Sequence, residues 1–322
     1  MHAARFVVVI ALCFIATFAQ AAGFRLIEVA ADADGPALTG AMWYPCSEPP
    51  GEIHRGPFTI RGAENCPITG DKLPLVVVSH GDSGAAVVHS DTAETLADAG
   101  FIVAAINHPG DTFFDMSRLG DLSAFAKRPT DIKRLIDFML GASPAASKID
   151  PDRIGVFGHS AGGYTALVLI GANPDWAGAS EFCQRSSLPR CEQVRRKQFP
   201  VQTIVHDPRI KAAVLADPGA RFFSAESFAA VKVPVQLWAS EHGNEFVTPE
   251  SVAAVDRNLP AKHEYRVVPN AGHDVFWICP AFLKDQPECK DAPGFDRAAF
   301  HKQFNADVLA FFRTHLIKVP RP

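Results

Sequence analysis

Two kinds of apolar pattern alternate along most of the chain. Short continuous runs bounded by turn residues read as strands buried on both faces: Leu73 to Gly81 (LPLVVVSHG), Phe101 to Asn107, Ile210 to Pro218 (IKAAVLADP) and Val233 to Ser240 (VPVQLWAS). Between them, longer stretches of mixed pattern predict helices around His89 to Ala99, Asp131 to Leu140, Pro249 to Leu259 and Arg297 to His315. Glu264 to Asn270 is a further strand, and Arg153 to Gly163 (RIGVFGHSAGG) runs from strand into helix. Near the N-terminus, Phe24 to Ala30 and Leu38 to Tyr44 read as two strands joined by the turn Asp34-Gly35-Pro36. Residues 45–73, rich in Pro, Gly and Cys, read as a stapled loop. Repeated strand–helix units predict one α/β domain, residues 22–322, whose mostly parallel sheet is covered by helices on both faces. Residues 173–208 break the rhythm. They are polar, carry Cys183 and Cys191, and are expected to form a cap or lid inserted into that domain.

Composition changes this picture little and rules out some partners. Of 322 residues 48% are hydrophobic and 20% charged, as in a globular chain with a sizeable core. The net charge of −4, with no basic stripe, argues against a nucleic-acid partner.

The N-terminus reads as an address rather than as part of the fold. Arg5 precedes an apolar stretch from Phe6 to Phe18, and Ala19-Gln20-Ala21 offers a small-x-small cleavage site, so residues 1–21 are expected to be a signal peptide. The stretch is too short to span a bilayer, and no later run is long enough, so the cleaved chain is expected to have no spanning segment. Export to the periplasm or the medium follows, and an oxidising compartment makes disulfides the default. Cys13 leaves with the leader. The other cysteines fall into sequence-local pairs, and Cys46–Cys66, Cys183–Cys191 and Cys279–Cys289 is the most economical connectivity. There is no C-x-x-C, and no His stands at ligand spacing beside these residues, so zinc is disfavoured.

The chemistry-bearing signal is Gly158-His159-Ser160-Ala161-Gly162, a G-x-S-x-G between a buried strand and an apolar helix. That context is what a nucleophile elbow needs: a tight turn exposes the serine hydroxyl, and the flanking glycines let strand and helix approach. His273, in Asn270-Ala271-Gly272-His273-Asp274 after the last strand of the series, is the candidate base. The acid that would orient it is open between three strand-end carboxylates. Asp217 ends IKAAVLAD and is favoured; Glu245 and then Glu241 follow VPVQLWAS. The expected oxyanion donors are the backbone N–H of Ala161 and that of Asp82, in the small loop Ser79-His80-Gly81-Asp82-Ser83-Gly84. His80, His108 and His159 lie near the same sheet end and are expected to line the pocket.

Together these segments resemble the α/β-hydrolase superfamily. Within it they resemble the branch of plasma-type platelet-activating factor acetylhydrolases and dienelactone hydrolase-like bacterial exported esterases. The likeness rests on LPLVVVSHG, FIVAAINHPGDT, GHSAGG, IKAAVLADPG and VVPNAGHDVF, spread over about Leu73 to Phe276. It implies an α/β-hydrolase fold, no metal or organic cofactor, and hydrolysis of carboxylic esters through an acyl-enzyme on Ser160. In the acetylhydrolases the acid lies on the strand matching IKAAVLAD, which implies Asp217. Other relatives, cutinase-like polyester hydrolases among them, carry it after the next strand, where this chain has no Asp. Dienelactone hydrolases proper use a Cys nucleophile, and here that position is Ser160.

The implied substrates are short-chain or lipid-like esters, with polyesters and aromatic esters as the alternative. The segment Trp176 to Phe199 and the loop Phe276-Trp277-Ile278 are expected to give the pocket apolar walls. Two further classes stay open: amide or peptide hydrolysis by the same residues, and a silent binding module on this fold.

Overall fold

The computed structural model describes residues 21–201 and 203–317. The expected leader, apart from Ala21, lies outside those residues.

The described residues open with four strands: β1 (Ala21–Val29), β2 (Leu38–Cys46), β3 (Gly51–Arg55) and β4 (Phe58–Glu64). The alternating series follows as β5 (Leu73–Ser79), α1 (Ser90–Asp98), β6 (Ile102–Ile106), α2 (Leu122–Leu140), β7 (Ile149–His159) and α3 (Ala161–Leu169). Two short helices, α4 (Ser180–Arg185) and α5 (Pro189–Arg195), occupy the insertion. Then come β8 (Ile210–Ala216), β9 (Val235–Ser240), α6 (Pro249–Asn258), β10 (His263–Val268) and α7 (Arg297–Leu316).

All ten strands form one sheet, in the order β10-β9-β8-β7-β5-β6-β2-β1-β4-β3. From β6 to β10 the strands are parallel. On the other side β2 runs antiparallel to both β6 and β1. Side chains alternate across the sheet. Leu75 and Val77 face a core built with α2, α3 and α6, whereas Val76 and Val78 face one built with α1 and α7. Two covered faces explain why β5 and β6 read as unbroken apolar runs. Among the described residues no helix is long and apolar enough to cross a membrane.

Two expectations need correction. Residues 45–73 are not simply a loop, because they contain the β3–β4 hairpin. Its inward side chains Ile53, Phe58 and Ile60 are buried, and the turn is made at Gly56, whose φ of +56° suits a residue without Cβ. Surrounding Pro, Gly and Cys hid this short alternation. Helix α2 begins at Leu122, not near Asp131. Asp121 caps it by accepting the Ser123 N–H at 2.8 Å, and the helix carries Pro129 in its interior. A central proline costs about 3 kcal/mol in a helix, and burial of Phe125 and Arg128 on this first half offsets it.

The cysteines join as Cys46–Cys66, Cys183–Cys191 and Cys279–Cys289. The first ties the end of β2 to the hairpin, and the second ties α4 to α5. The third closes the loop between β10 and α7.

Candidate active site

Strand β7 delivers Ser160 to the C-terminal edge of the sheet, and α3 starts at the next residue. Between them Ser160 has φ 55° and ψ −118°, a left-handed backbone that costs a non-glycine residue of order 1–3 kcal/mol. Three hydrogen bonds hold it there. Its N–H donates to Ala216 O at 3.0 Å, and its carbonyl accepts from Gly219 N at 2.8 Å and Tyr164 N at 3.1 Å. The glycines on either side are sterically required. A Cβ on Gly158 would stand 2.1 Å from Gly162 O, and one on Gly162 would stand 1.8 Å from Ser79 O. Ser160 itself is half-buried.

His273 follows β10 and is buried. Its Nδ1 lies 3.0 Å from Asp217 Oδ2. Asp217 directly follows β8 with φ 42° and accepts the Ser240 N–H at 2.7 Å on Oδ1 and the Ser240 hydroxyl on Oδ2. That hydroxyl in turn accepts the Gly243 N–H at 3.1 Å, and Gly243 O accepts the His273 N–H at 3.3 Å. Ser240 thus ties the carboxylate to the loop facing the imidazole. Burial works to lower the His273 pKa, but the hydrogen bond and charge of Asp217 outweigh it and raise the pKa above its ordinary value.

Of the three carboxylates considered, Asp217 is the one beside His273. Glu245 accepts from the Ser186 hydroxyl at 2.6 Å, and Glu241 takes the Asn270 N–H.

Ser160 and His273 line one cavity of about 460 Å³. Its walls include the candidate oxyanion loop Gly81 to Gly84 and the apolar side chains of Phe58, Phe113, Phe246, Trp277 and Leu283. The oxyanion loop lies against the elbow, since a Cβ on Gly81 would sit 3.2 Å from Ser160 Cβ. Phe58 and Phe113 make one cavity wall aromatic, and Phe282, outside the lining, packs edge-to-face on both at 5.5 and 5.3 Å. Asp274 and Glu288 supply carboxylates at the cavity, and burial raises the pKa of Asp274. Among the described residues no three His, Cys, Asp or Glu side chains converge on a position that could hold a metal ion.

Several expected pocket residues stand elsewhere. His159 lines the cavity, with its ring 4.8 Å from that of His273 and its Nε2 3.2 Å from His273 O. Burial, then the neighbouring His273, lowers its pKa well below the usual range and keeps it neutral. His80 and His108 are buried behind the oxyanion loop instead, and neither lines the cavity. Trp277 is a wall residue, but Phe276 packs into the core against Phe300 and Phe304. No side chain from Trp176 to Phe199 lines the cavity. Trp176 packs on Tyr164 and Phe222, because its ring is needed to bury the insertion against α3. The insertion reaches the site through Arg190, whose guanidinium pairs with the Asp82 carboxylate.

Sequence reasoning missed Ser240, Arg190, Arg128 and the Phe58–Phe113–Phe282 cluster. Ser240 ends a strand that was read correctly, but a lone serine there carries no signal. The phenylalanines come from three distant segments.

Comparison with known proteins agrees with this architecture. Residues 88–179 match the prolyl oligopeptidase family, and residues 55–114 match platelet-activating factor acetylhydrolase, isoform II. Among curated proteins, NocK of Nocardia uniformis subsp. tsuyamanensis, named as an esterase, is 26% identical, over 47% of this chain and 44% of its own length. The platelet-activating factor acetylhydrolase of Canis lupus familiaris is 28% identical, over 36% of each chain. The chain therefore spans less than half the length of these relatives. Among solved structures, a ferulic acid esterase from Streptomyces cinnamoneus superposes with TM-score 0.64 at 22% identity, covering 96% of this chain and 93% of its own. A dienelactone hydrolase from Anabaena variabilis superposes with TM-score 0.52 at 14% identity, covering 92% and 99%. At these identities the likeness is one of fold.

Proposed function

We propose that this chain, whose fold is that of an α/β-hydrolase, is a serine carboxylic-ester hydrolase working through an acyl-enzyme. One observation carries the reading: a strained serine at a strand–helix turn shares a cavity with a buried histidine that is hydrogen-bonded to a carboxylate. Backbone strain of this kind persists where the surrounding fold enforces it, and it collects at reactive sites.

In this mechanism Ser160 Oγ attacks the ester carbonyl carbon while His273 Nε2 takes the hydroxyl proton. Asp217, on Nδ1, keeps the imidazole in the tautomer whose Nε2 is free and stabilises the imidazolium that forms. The carbonyl oxygen becomes an oxyanion facing the N–H groups of Asp82 and Ala161. Collapse of the tetrahedral adduct breaks the bond to the alcohol, which leaves with the proton from His273. Water then repeats the sequence on the acyl-enzyme and releases the acid.

The substrates proposed are short-chain or lipid-like esters. The acetylhydrolase relative supports that choice, as do the apolar cavity walls. A second reading, aromatic or polyester substrates, is favoured by the Phe58–Phe113 wall of the cavity. A third, amide or peptide hydrolysis by the same residues, is favoured by the prolyl oligopeptidase match over the elbow. Export of the chain with residues 1–21 removed remains the proposal for its address, supported by its three cysteine pairs.

The test is labelling of the purified chain with a fluorophosphonate, read by intact mass, for the wild type and Ser160→Ala. One adduct on the wild type and none on the variant is expected. Matched p-nitrophenyl esters of rising acyl length and p-nitroanilides then separate esterase from amidase. A wild type that takes no label and turns over no ester would leave the silent binding module as the better account.

A further inference from the structure

The oxyanion loop is held from behind by a guanidinium that never touches the cavity. Arg128, on α2, is fully buried. Its Nε and Nη2 donate to Asp111 Oδ2 at 3.0 and 2.8 Å. Its Nη1 donates to His80 O at 2.7 Å, and its Nη2 to Gly81 O at 3.2 Å. Gly81 O also accepts from the Gly84 N–H at 3.2 Å and lies 2.7 Å from His80 Nδ1. That ring nitrogen carries the proton, because His80 Nε2 accepts the His108 N–H at 3.3 Å. Asp111, anchored by Arg128, takes the Ser83 N–H on Oδ1 at 2.9 Å.

The Gly81 carbonyl and the Asp82 N–H belong to one peptide unit. In a planar trans peptide the C=O and N–H point in opposite directions. Drawing Gly81 O into the interior therefore turns the Asp82 N–H the other way, towards the cavity that Asp82 shares with Ser160. A glycine on one side of this peptide and a half-exposed residue on the other would not fix its plane unaided.

We propose that Arg128 is a positioning residue for ester hydrolysis, setting the plane of the Gly81–Asp82 peptide so that the Asp82 N–H is preorganised for the oxyanion. The inference rests on the reading of Ser160 as the nucleophile. It assigns Arg128 an effect on the transition state rather than on substrate binding. A buried ion pair is weak evidence for a stability role, and replacing one by apolar groups is often neutral. Two of the acceptors Arg128 meets are carbonyls of the loop, which a purely structural pair would not require.

The experiment compares wild type, Arg128→Lys and the double variant Arg128→Met/Asp111→Asn, which leaves no unpaired buried charge. Each is normalised to the fraction of Ser160 titrated by fluorophosphonate, so a misfolded fraction is removed from the comparison. For each protein kcat and KM are measured on a p-nitrophenyl ester. Affinities are measured for a trifluoromethyl ketone, which forms a tetrahedral oxyanion on Ser160, and for the matching non-reactive ether. The expected result is a fall of about 10²-fold in kcat per titrated site, the size of losing one oxyanion donor, with KM little changed. The trifluoromethyl ketone should weaken in step with kcat/KM while the ether does not. The inference is overturned if kcat per titrated site stays within about threefold of wild type, or if ether and ketone weaken equally. A wild type that takes no label and hydrolyses no ester would sink the esterase reading and this inference together; an active wild type with unchanged variants would sink the inference alone.

Discussion

Arg190 of the insertion and Asp82 of the candidate oxyanion loop form an ion pair across the edge of the candidate site. The guanidinium lies 4.6 Å from the Phe125 ring centroid and 4.7 Å from that of Phe246. Phe246 is a cavity wall, so one cation fastens the disulfide-tied helices α4 and α5 to both the loop and the wall. A planar guanidinium fits between two rings and an ammonium does not. Arg190→Lys should therefore loosen the insertion at a cost of up to about 1.5–3 kcal/mol, the usual worth of a charged hydrogen bond. Hydrogen exchange over residues 180–195 should speed up, and KM should rise more than kcat falls. Unchanged exchange there would mean that the disulfide and the Trp176 contacts hold the insertion without Arg190.

The pair Asp217–His273 sets a pH prediction. Its imidazole pKa is raised, so the free base is lost below a value above the ordinary 6.5, and the acid limb of kcat/KM should lie there. Asp217→Asn removes the cause that outweighs burial. The limb should then move to lower pH, because burial disfavours the imidazolium and only the smaller effects of the Asp274 and Asp82 charges still oppose it. kcat should fall by about 10⁴-fold as the wrong tautomer becomes available. Stability follows the same sign. The raised pKa contributes stability below 6.5 that disappears as pH rises through the folded value, and the variant should lose that contribution. A limb that moves upward would contradict the assignment of Asp217 as the partner.

Much of this was legible in the sequence because it is local. β5 and β6 are continuous apolar runs since both their faces are covered, and the elbow is a five-residue pattern with steric reasons at Gly158 and Gly162. The acid was not legible to the same degree. Asp217, Glu241 and Glu245 all end or follow a strand between Ser160 and His273. Only the folded path across 56 residues brings one of them to the imidazole. Arg128 and Arg190 left no trace, since a buried cation matched by a carboxylate distant in sequence has no period and no motif. The same holds for the start of α2, where Pro129 argued locally against a helix that packing supports.

Glu245 and Glu241 supply the complementary test. Glu245 is engaged with Ser186 of the insertion, and Glu241 with the backbone of Asn270. Neither lines the cavity. Glu245→Gln and Glu241→Gln should leave kcat within about twofold of wild type and the acid limb unmoved, since neither charge is hydrogen-bonded to the imidazole. A fall of about 10³-fold or more in either variant would transfer the acid role to that residue.

The last pair of cysteines bears on the shape of the cavity. Cys279 and Cys289 are 10 residues apart, and the segment between them carries Leu283, Gln286 and Glu288 to the cavity. It also carries Phe282, whose ring packs 5.5 Å from Phe58 and 5.3 Å from Phe113. Closing so short a loop restricts the unfolded chain by about 3 kcal/mol in the chain-entropy account. The double variant Cys279→Ser/Cys289→Ser should therefore unfold at lower temperature in calorimetry. Its effect on turnover should depend on substrate. A p-nitrophenyl acetate molecule reaches Ser160 without the aromatic wall, so its kcat/KM should stay within about threefold of wild type. A p-nitrophenyl ester with a long or aromatic acyl group leans on Phe58, Phe113 and Leu283, and should lose about tenfold, mainly through KM, as ordered apolar contact is lost. Equal losses on both substrates would mean that the disulfide supports the catalytic groups rather than the wall. A loss confined to the larger acyl group would identify the loop between β10 and α7 as the acyl-side boundary of the site.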